Sequence, residues 1–392
     1  MKVLLTSPDA LIDNFLGDFF PKIIENLNNL LDNDLISAIA VVSSHADKLQ
    51  FIPKRFNPIR VGFNTKQGKG FVEGLIRSNP KVISNHSDLM VLAGSEGDFR
   101  MSVNSKLLLF SPKFAKDNNP TSKAFKYGIP IESPDHLYEF FDRFMSINDR
   151  CYYELQIDSR TYLYSIISSN YYYEGDMNLK SLKKRIEYFL KKHRSKYGNL
   201  FLNYFLMSAY NKIGKLRDID YWGVYPSSSK GSHNRDIHQL KEEARKIYKC
   251  RTKQEILIRT KDSPKRTSMS KDARLRDGCD SQFSTIKVNP YYRDRIEGKT
   301  VCIMDDFTTN GSSCETARHL LLEAGADKVI FITMGKFGSN YIKYKYKIDG
   351  DVFGKFSFKK VNYHRIVGDF YEDSNAELMN VLGDTVLWNW NP

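Results

Sequence analysis

KTVCIMDDFTTNGSSCETARHLLLEAG, residues 299–325, reads as strand, loop and helix. Val301 to Met304 is a short apolar run suited to a central parallel strand. Asp305 and Asp306 stand at its C-terminal end, and the loop FTTNGSS carries one glycine and four hydroxyl side chains. Cys314, Ala317, Leu321 and Ala324 then recur at helical spacing, and Gly325 supplies a stop.

That order has a chemical meaning. A strand end, a small-residue loop and a helix N-terminus aim several backbone N–H groups at one point, where the helix dipole favours an anion. Ser312 and Ser313 can cap the helix or give hydroxyls to a phosphate. Two adjacent carboxylates suit vicinal ribose hydroxyls, or a magnesium ion near them. The stretch therefore asks for a sugar phosphate.

VCIMDDFTTNGSS resembles the phosphoribosyl-pyrophosphate (PRPP) motif of type I phosphoribosyltransferases. That motif is four apolar residues, two acids, two variable residues and Thr-Thr-Gly-x-Thr. Asp305, Asp306, Thr309, Gly311 and Ser313 fit it, and Asn310 stands where a second Thr is usual. The resemblance implies that Asp305 and Asp306 are the catalytic pair on the ribose 2′- and 3′-hydroxyls. It implies that Thr308, Thr309, Asn310, Gly311, Ser312 and Ser313 hold the 5′-phosphate.

Upstream lies DIDYWGVYPSSSKGSHNRDIHQLKEEARKIYKC, residues 218–250. Tyr221 to Tyr225 reads as a strand, Pro226 to Ser232 as a polar loop and Asp236 to Lys249 as a helix. This stretch is similar to ComF-type members of the same family, named from DNA-uptake competence. Arg235 and Gln239 match their Arg-Gly-Phe-Asn-Gln, Ile237 replaces Phe, and Gly and Asn are lost. The resemblance implies that Ser227, Ser228, Ser229, Lys230 and Arg235 face pyrophosphate. His233 and His238 read as surface or helix residues.

ILIR at 256–259 is a further strand, followed by a charged, hydroxyl-rich segment poor in apolar residues. In the family this place belongs to a mobile lid that closes over PRPP. Arg259, Lys261, Lys265, Arg266, Lys271 and Arg274 are its candidate cations. The ComF-like resemblance spans about residues 215–337.

The N-terminal half reads as a second α/β unit. Apolar runs at 3–5, 37–44, 88–95 and 106–110 suit buried strands, with a helical pattern from Leu16 to Leu31. AVVSS and LAGSEGDFRMSVNSKLLLF resemble the second and last motifs of haloacid-dehalogenase (HAD) phosphatases. The first strand ends VLLTSPDA, so Thr6 and Pro8 occupy the places near the usual acids, and Asp9 breaks the spacing. Asp98 remains in the last motif, while Gly94 replaces its acidic partner. The expectation is a catalytically degenerate HAD-like domain.

The chain thus divides into a HAD-like α/β domain at 1–144, a helical connecting region at 145–214 and a phosphoribosyltransferase-like domain with an extension at 215–392. Both domains are expected to be α/β, the second with a parallel sheet flanked by helices. A length of 392 residues favours more than one core. A hydrophobic share of 41% with 27% charged residues describes a globular chain. The net charge of +13 suits a phosphate-rich substrate, a nucleic acid or a solvated lysine surface. The five cysteines show no ligand spacing and no disulfide framework, which suits a reducing, cytoplasmic setting. Neither a signal sequence nor an apolar run long enough for a membrane span is present, so no membrane partner is expected. A homo-oligomer is compatible with the sequence.

In YIKYKYKI, residues 341–348, lysine alternates with aromatic or aliphatic residues, as in a half-exposed strand. Such alternation can also stack single-stranded nucleic acid. The closing Trp388 and Trp390 suit packing against the domain or capping of a site.

Three functions follow as expectations. The first is transfer of a 5-phosphoribosyl group from PRPP and Mg2+ to a nitrogen acceptor, with release of pyrophosphate. The second is a PRPP- or nucleotide-sensing module without chemistry. The third is a nucleic-acid-associated ComF-like factor.

Overall fold

The computed structural model describes residues 2–170, 177–192, 198–248, 250–264, 269–371 and 374–383. Lys265, Arg266, Trp388 and Trp390 lie outside the described residues. The chain forms two compact units, residues 1–147 with 245–251, and residues 148–244 with 252–392.

The first unit is built on a parallel sheet of six strands. They are β1 (Val3–Thr6), β2 (Ala38–Ser43), β3 (Pro58–Arg60), β4 (Leu89–Leu92), β5 (Leu108–Pro112) and β6 (Ile129–Ile131), in the order β3-β2-β1-β4-β5-β6. This is a doubly wound order, with its switch point between β1 and β4. β1, β4 and β5 are buried throughout, as strands covered on both faces must be. The expected helix from Leu16 begins only at Ile23 and runs to Asp32. Two local features delay it. Gly17 has φ +78°, and Lys22, just after Pro21, has φ +62° as the N-cap, so the chain cannot be helical before Ile23.

The second unit has a mixed sheet in place of the expected parallel one. Its strands are β7 (Tyr153–Asp158), β8 (Thr161–Ser168), β9 (Tyr221–Val224), β12 (Thr300–Thr308), β13 (Lys328–Lys336) and β16 (Asp369–Phe370). The order is β16-β7-β8-β13-β12-β9, in which β8, β13, β12 and β9 are parallel, β7 runs against them, and β16 is antiparallel to β7. The segment 145–214, read above as helical, thus supplies a hairpin to this sheet. Only its later part is helical, as Met177–Lys192 and Gly198–Lys212. Burial alternates along YELQID and TYLY, which is strand periodicity, while SIIS at the end of β8 is buried throughout.

Two antiparallel pairs complete the unit, β10 (Leu257–Arg259) with β11 (Ile286–Val288), and β14 (Asn340–Gly350) with β15 (Phe356–Val367). The core helix Ser312–Glu323 buries Ala317, Leu320 and Leu321. Among the described residues, no helix is long and apolar enough to cross a membrane.

Candidate functional site

The site of the second unit is built where β12 outruns its neighbour. β9 pairs with β12 only as far as Val224 beside Met304, whereas β13 continues beside it to Lys336 opposite Thr308. Asp305, Asp306 and Phe307 therefore stand half-buried, with one edge of the strand open. The Asp306 N–H donates to Asp305 Oδ1 at 2.9 Å and the Phe307 N–H to Asp306 Oδ1 at 2.7 Å. Burial, with the Asp306 charge alongside, holds the Asp305 carboxyl well above the usual carboxylate range.

Beyond Thr308 the backbone is pinned from behind. The Lys336 side chain is fully buried, and its ammonium donates to the carbonyls of Thr309 at 2.7 Å, Phe337 at 2.9 Å, Gly338 at 2.9 Å and Asn340 at 3.1 Å. The Ile342 N–H holds the Asn310 carbonyl at 3.0 Å. In a planar trans peptide the N–H points opposite to its C=O. With the carbonyls of Thr309 and Asn310 tied inward, the N–H groups of Asn310 and Gly311 face the other way. The N–H groups of the first helical turn, which have no partner within the helix itself, follow at once, because the helix starts at Ser312. Successive N–H groups arranged so form an anion-binding nest.

Gly311 is required by geometry. Its φ is +81°, and a Cβ there would sit 2.1 Å from the Tyr341 ring. Tyr341 is itself fixed, donating its hydroxyl to Glu315 Oε1 at 2.8 Å. Glu315 is fully buried and also accepts from Arg318 Nε at 3.0 Å, Arg318 Nη2 at 2.7 Å and the Tyr344 N–H at 2.9 Å. A satisfied ionic network therefore clamps the first turns of the core helix onto β14.

These groups line a cavity of about 340 Å³. Asp305, Asp306, Thr308, Thr309, Asn310, Gly311, Ser312 and Ser313 form one wall, and Ser228, Arg259 and Arg274 stand in the others. Three separate stretches of the sequence thus meet in one place. Ser227, Ser229, Lys230 and Arg235 belong to the loop after β9 and the helix that follows, but not to the cavity wall. The exposed Lys230 has its N–H on Asp262 Oδ1 at 2.7 Å. Lys261 is exposed outside the wall, and Lys271 begins the short helix that carries Arg274.

Arg259 departs from the role of a lid cation. It is 7% exposed, and its guanidinium is spent on bracing. Nε bonds the Ser227 carbonyl, Nη1 reaches Thr285 Oγ1 at 2.6 Å, and Nη2 reaches the Pro226 carbonyl at 3.2 Å and Gln282 Oε1 at 3.0 Å. It fixes the loop after β9 to the segment before β11. Residues that sequence reading passed over complete the wall: Tyr225, Pro264, Gln282 and Phe307. Nothing local distinguishes Tyr225 or Gln282, whose contact at 3.0 Å joins positions 57 residues apart. Lys336 did leave a signal, as a charge closing the apolar run KVIFITMGK.

The switch point of the first unit is filled by the chain itself. Asp98 Oδ2 accepts from Ser7 Oγ at 2.5 Å, Ser95 Oγ at 2.8 Å and the N–H groups of Ser95 at 3.0 Å and Gly94 at 3.1 Å. Its other oxygen pairs with Lys66 at 2.5 Å, and the same ammonium reaches the Val42 carbonyl at 2.8 Å. Asp98 is fully buried, so its carboxylate has no face left for a ligand. A Cβ on Gly94 would lie 2.2 Å from the Ala10 nitrogen, so an acidic side chain has no room there. Asp9 is engaged with Lys48 at 2.8 Å. The expected result is no magnesium-dependent hydrolysis of phosphate esters by the full chain. Turnover abolished by Asp98→Asn or Asp9→Asn in a protein that still folds would contradict it.

No family model, curated protein or solved structure matches the chain.

Proposed function

We propose that the second unit is a PRPP-dependent phosphoribosyltransferase with its active centre in the 340 Å³ cavity. One observation carries the reading. An acidic pair, an anion nest at a helix N-terminus, a second loop and Arg274 converge on a single cavity. That combination suits a ribose bearing phosphates at both ends.

In this reading Asp305 and Asp306 accept hydrogen bonds from the ribose hydroxyls. The nest at Asn310 to Ser313 takes the 5′-phosphate. Ser228 and Arg274, on opposing segments, take the pyrophosphate. Bond breaking at C1′ leaves positive charge on the ribose, and the acidic pair stabilises it. Arg274 stabilises the leaving pyrophosphate.

Among the described residues, no group of three or more His, Cys, Asp or Glu is placed to hold a metal. The two carboxylates suit instead a magnesium ion that arrives on the substrate's phosphates, as that ion commonly does. Held by Asp305 and Asp306, such an ion would neutralise part of the pyrophosphate charge.

Incubation of the protein with PRPP, magnesium and a panel of nitrogen bases tests the reaction. Pyrophosphate released only with an acceptor supports a transferase. Tight PRPP binding with no release across the panel supports the sensing alternative instead.

The segment from Lys261 to Arg274, of which residues 265–268 lie outside the described residues, is expected from the family resemblance to be a lid. A segment that opens and closes holds few buried contacts. Limited proteolysis should cut it in the free protein and spare it with saturating PRPP and magnesium. Equal cleavage in both states would remove the lid assignment.

A further inference from the structure

The hairpin of β14 and β15 has a face that the site does not use. From Lys343 onward its two faces separate cleanly. Tyr344 and Tyr346 turn into the core, with 1% and 8% exposure. Lys345 and Lys347 turn to solvent. Across the ladder Lys343 stands opposite His364, Lys345 opposite Asn362 and Lys347 opposite Lys359. Residues directly opposite in a ladder share a face, so this face carries four lysines, an imidazole and an amide. At the turn end Asp349, opposite Ser357, is its single acid.

Like charges directly opposite one another weaken a sheet. Lys345, Lys347 and Lys359 have no ion pair or hydrogen bond from their side chains among the described residues, so the fold gains nothing visible from them. Along β14 the lysines repeat every second residue, about 6.8 Å apart. Such a row matches a linear polyanion better than a compact one.

At the open end of the hairpin the face leads into a second cavity of about 400 Å³. Lys343, Lys345, Asn362 and His364 wall it on the hairpin side, with Arg318 and Asp158 behind. Arg318 is held by Glu315 and by Asp158 at 3.2 Å, and Lys343 reaches the Ile157 carbonyl at 2.7 Å, so these walls are fixed. The amide of Asn362 and the imidazole of His364 have no side-chain partner among the described residues. They can offer donors and an acceptor to a flat polar ring.

We propose that this face binds single-stranded nucleic acid, with phosphates along Lys345, Lys347 and Lys359 and one unstacked base in the cavity beside Asn362 and His364. Single strands are favoured over duplex because a paired base cannot enter a cavity without leaving its stack. Tyr344 lines the floor of the cavity, but it and Tyr346 are buried, so base stacking along the lysine row of β14 is not the source of affinity. This inference is independent of the PRPP site.

Fluorescence anisotropy of the full chain with a labelled mixed-sequence single-stranded oligonucleotide, read across salt concentrations, tests it. The triple variant Lys345→Glu/Lys347→Glu/Lys359→Glu should lose at least tenfold in affinity at low salt. Its log–log salt slope should flatten by about 2, since each single-strand phosphate contact contributes about 0.7. The second variant Asn362→Ala/His364→Ala should lose affinity while keeping the slope. Thermal melting should show both variants folded, because all five positions are exposed. Wild-type protein without salt-dependent binding, a folded triple variant with wild-type affinity and slope, or equal affinity for duplex of the same length would each overturn the proposal.

Discussion

Replacing Asp305 and Asp306 together by Asn should weaken PRPP binding at least tenfold while the protein stays folded. A hydrogen bond to a charged group contributes about 1.5–3 kcal/mol, and 1.4 kcal/mol is a factor of ten. Asn keeps the shape of each side chain but removes the charge that makes it a strong acceptor. Stability should hold or rise, for a reason visible in the site. Burial and Asp306 raise the Asp305 carboxyl above its ordinary value. The folded state therefore keeps a proton at pH values where the unfolded chain has released it. Stability contributed by this group falls as pH rises through that window, and Asn abolishes the penalty. PRPP binding should run the opposite way, strengthening with pH as Asp305 ionises. Calorimetry with PRPP and magnesium, beside thermal melting, reads both. Unchanged affinity in a folded double variant would remove the acidic pair from the site.

Lys336→Met should produce the second large effect, through the backbone rather than through contact with ligand. The ammonium ties the carbonyls of Thr309, Phe337, Gly338 and Asn340 together. A buried carbonyl left without a donor costs about 1–3 kcal/mol, so the loop should reorient to find water. The nest then loses its aim, and PRPP affinity should drop by tenfold or more. Hydrogen exchange at the Ile342 amide, bonded to the Asn310 carbonyl, should speed up in the same variant. Burial also pushes the Lys336 ammonium down to about 8. In the wild type, ligand binding should therefore decline above roughly that pH, as the anchor loses its charge. Global stability should not follow it. Between the lowered folded value and the ordinary value of 10.5, the unfolded chain binds more protons, so this group's contribution to stability rises with pH. Exchange at Ile342 and affinity both unchanged in Lys336→Met would show that the loop needs no such anchor.

The strand–loop–helix of residues 299–325 was legible because its information is local. A short apolar run, a glycine at the one position with φ +81° and hydroxyl residues at a helix start sit within a few residues of each other. The meeting of that loop with Ser228 and Arg274 was legible only through a family pattern, because composition alone does not bring distant loops together. Arg259 shows why charge by itself misleads. In a basic segment it reads as one cation among several, yet its neighbours Pro226, Gln282 and Thr285 come from elsewhere in the chain and bury it. The hairpin of β7 and β8 was hidden by tyrosines in its alternation, which suited an aromatic-rich helical region equally well. Its parallel pairing of Thr161 to Ser168 with β13 is a long-range contact that no local pattern encodes. The plugged switch point of the first unit was half legible. The missing acids were visible, but the collision at Gly94 that forbids one of them was not.

The central claim is that one cavity holds both phosphate-bearing ends of a ribose. Calorimetric titration of the wild-type chain with PRPP, ribose 5-phosphate and pyrophosphate, each with magnesium, tests it most directly. PRPP should bind saturably at one site, each fragment should bind more weakly, and PRPP should displace both. No heat from PRPP at millimolar concentration, or fragments that bind without being displaced by it, would contradict the claim.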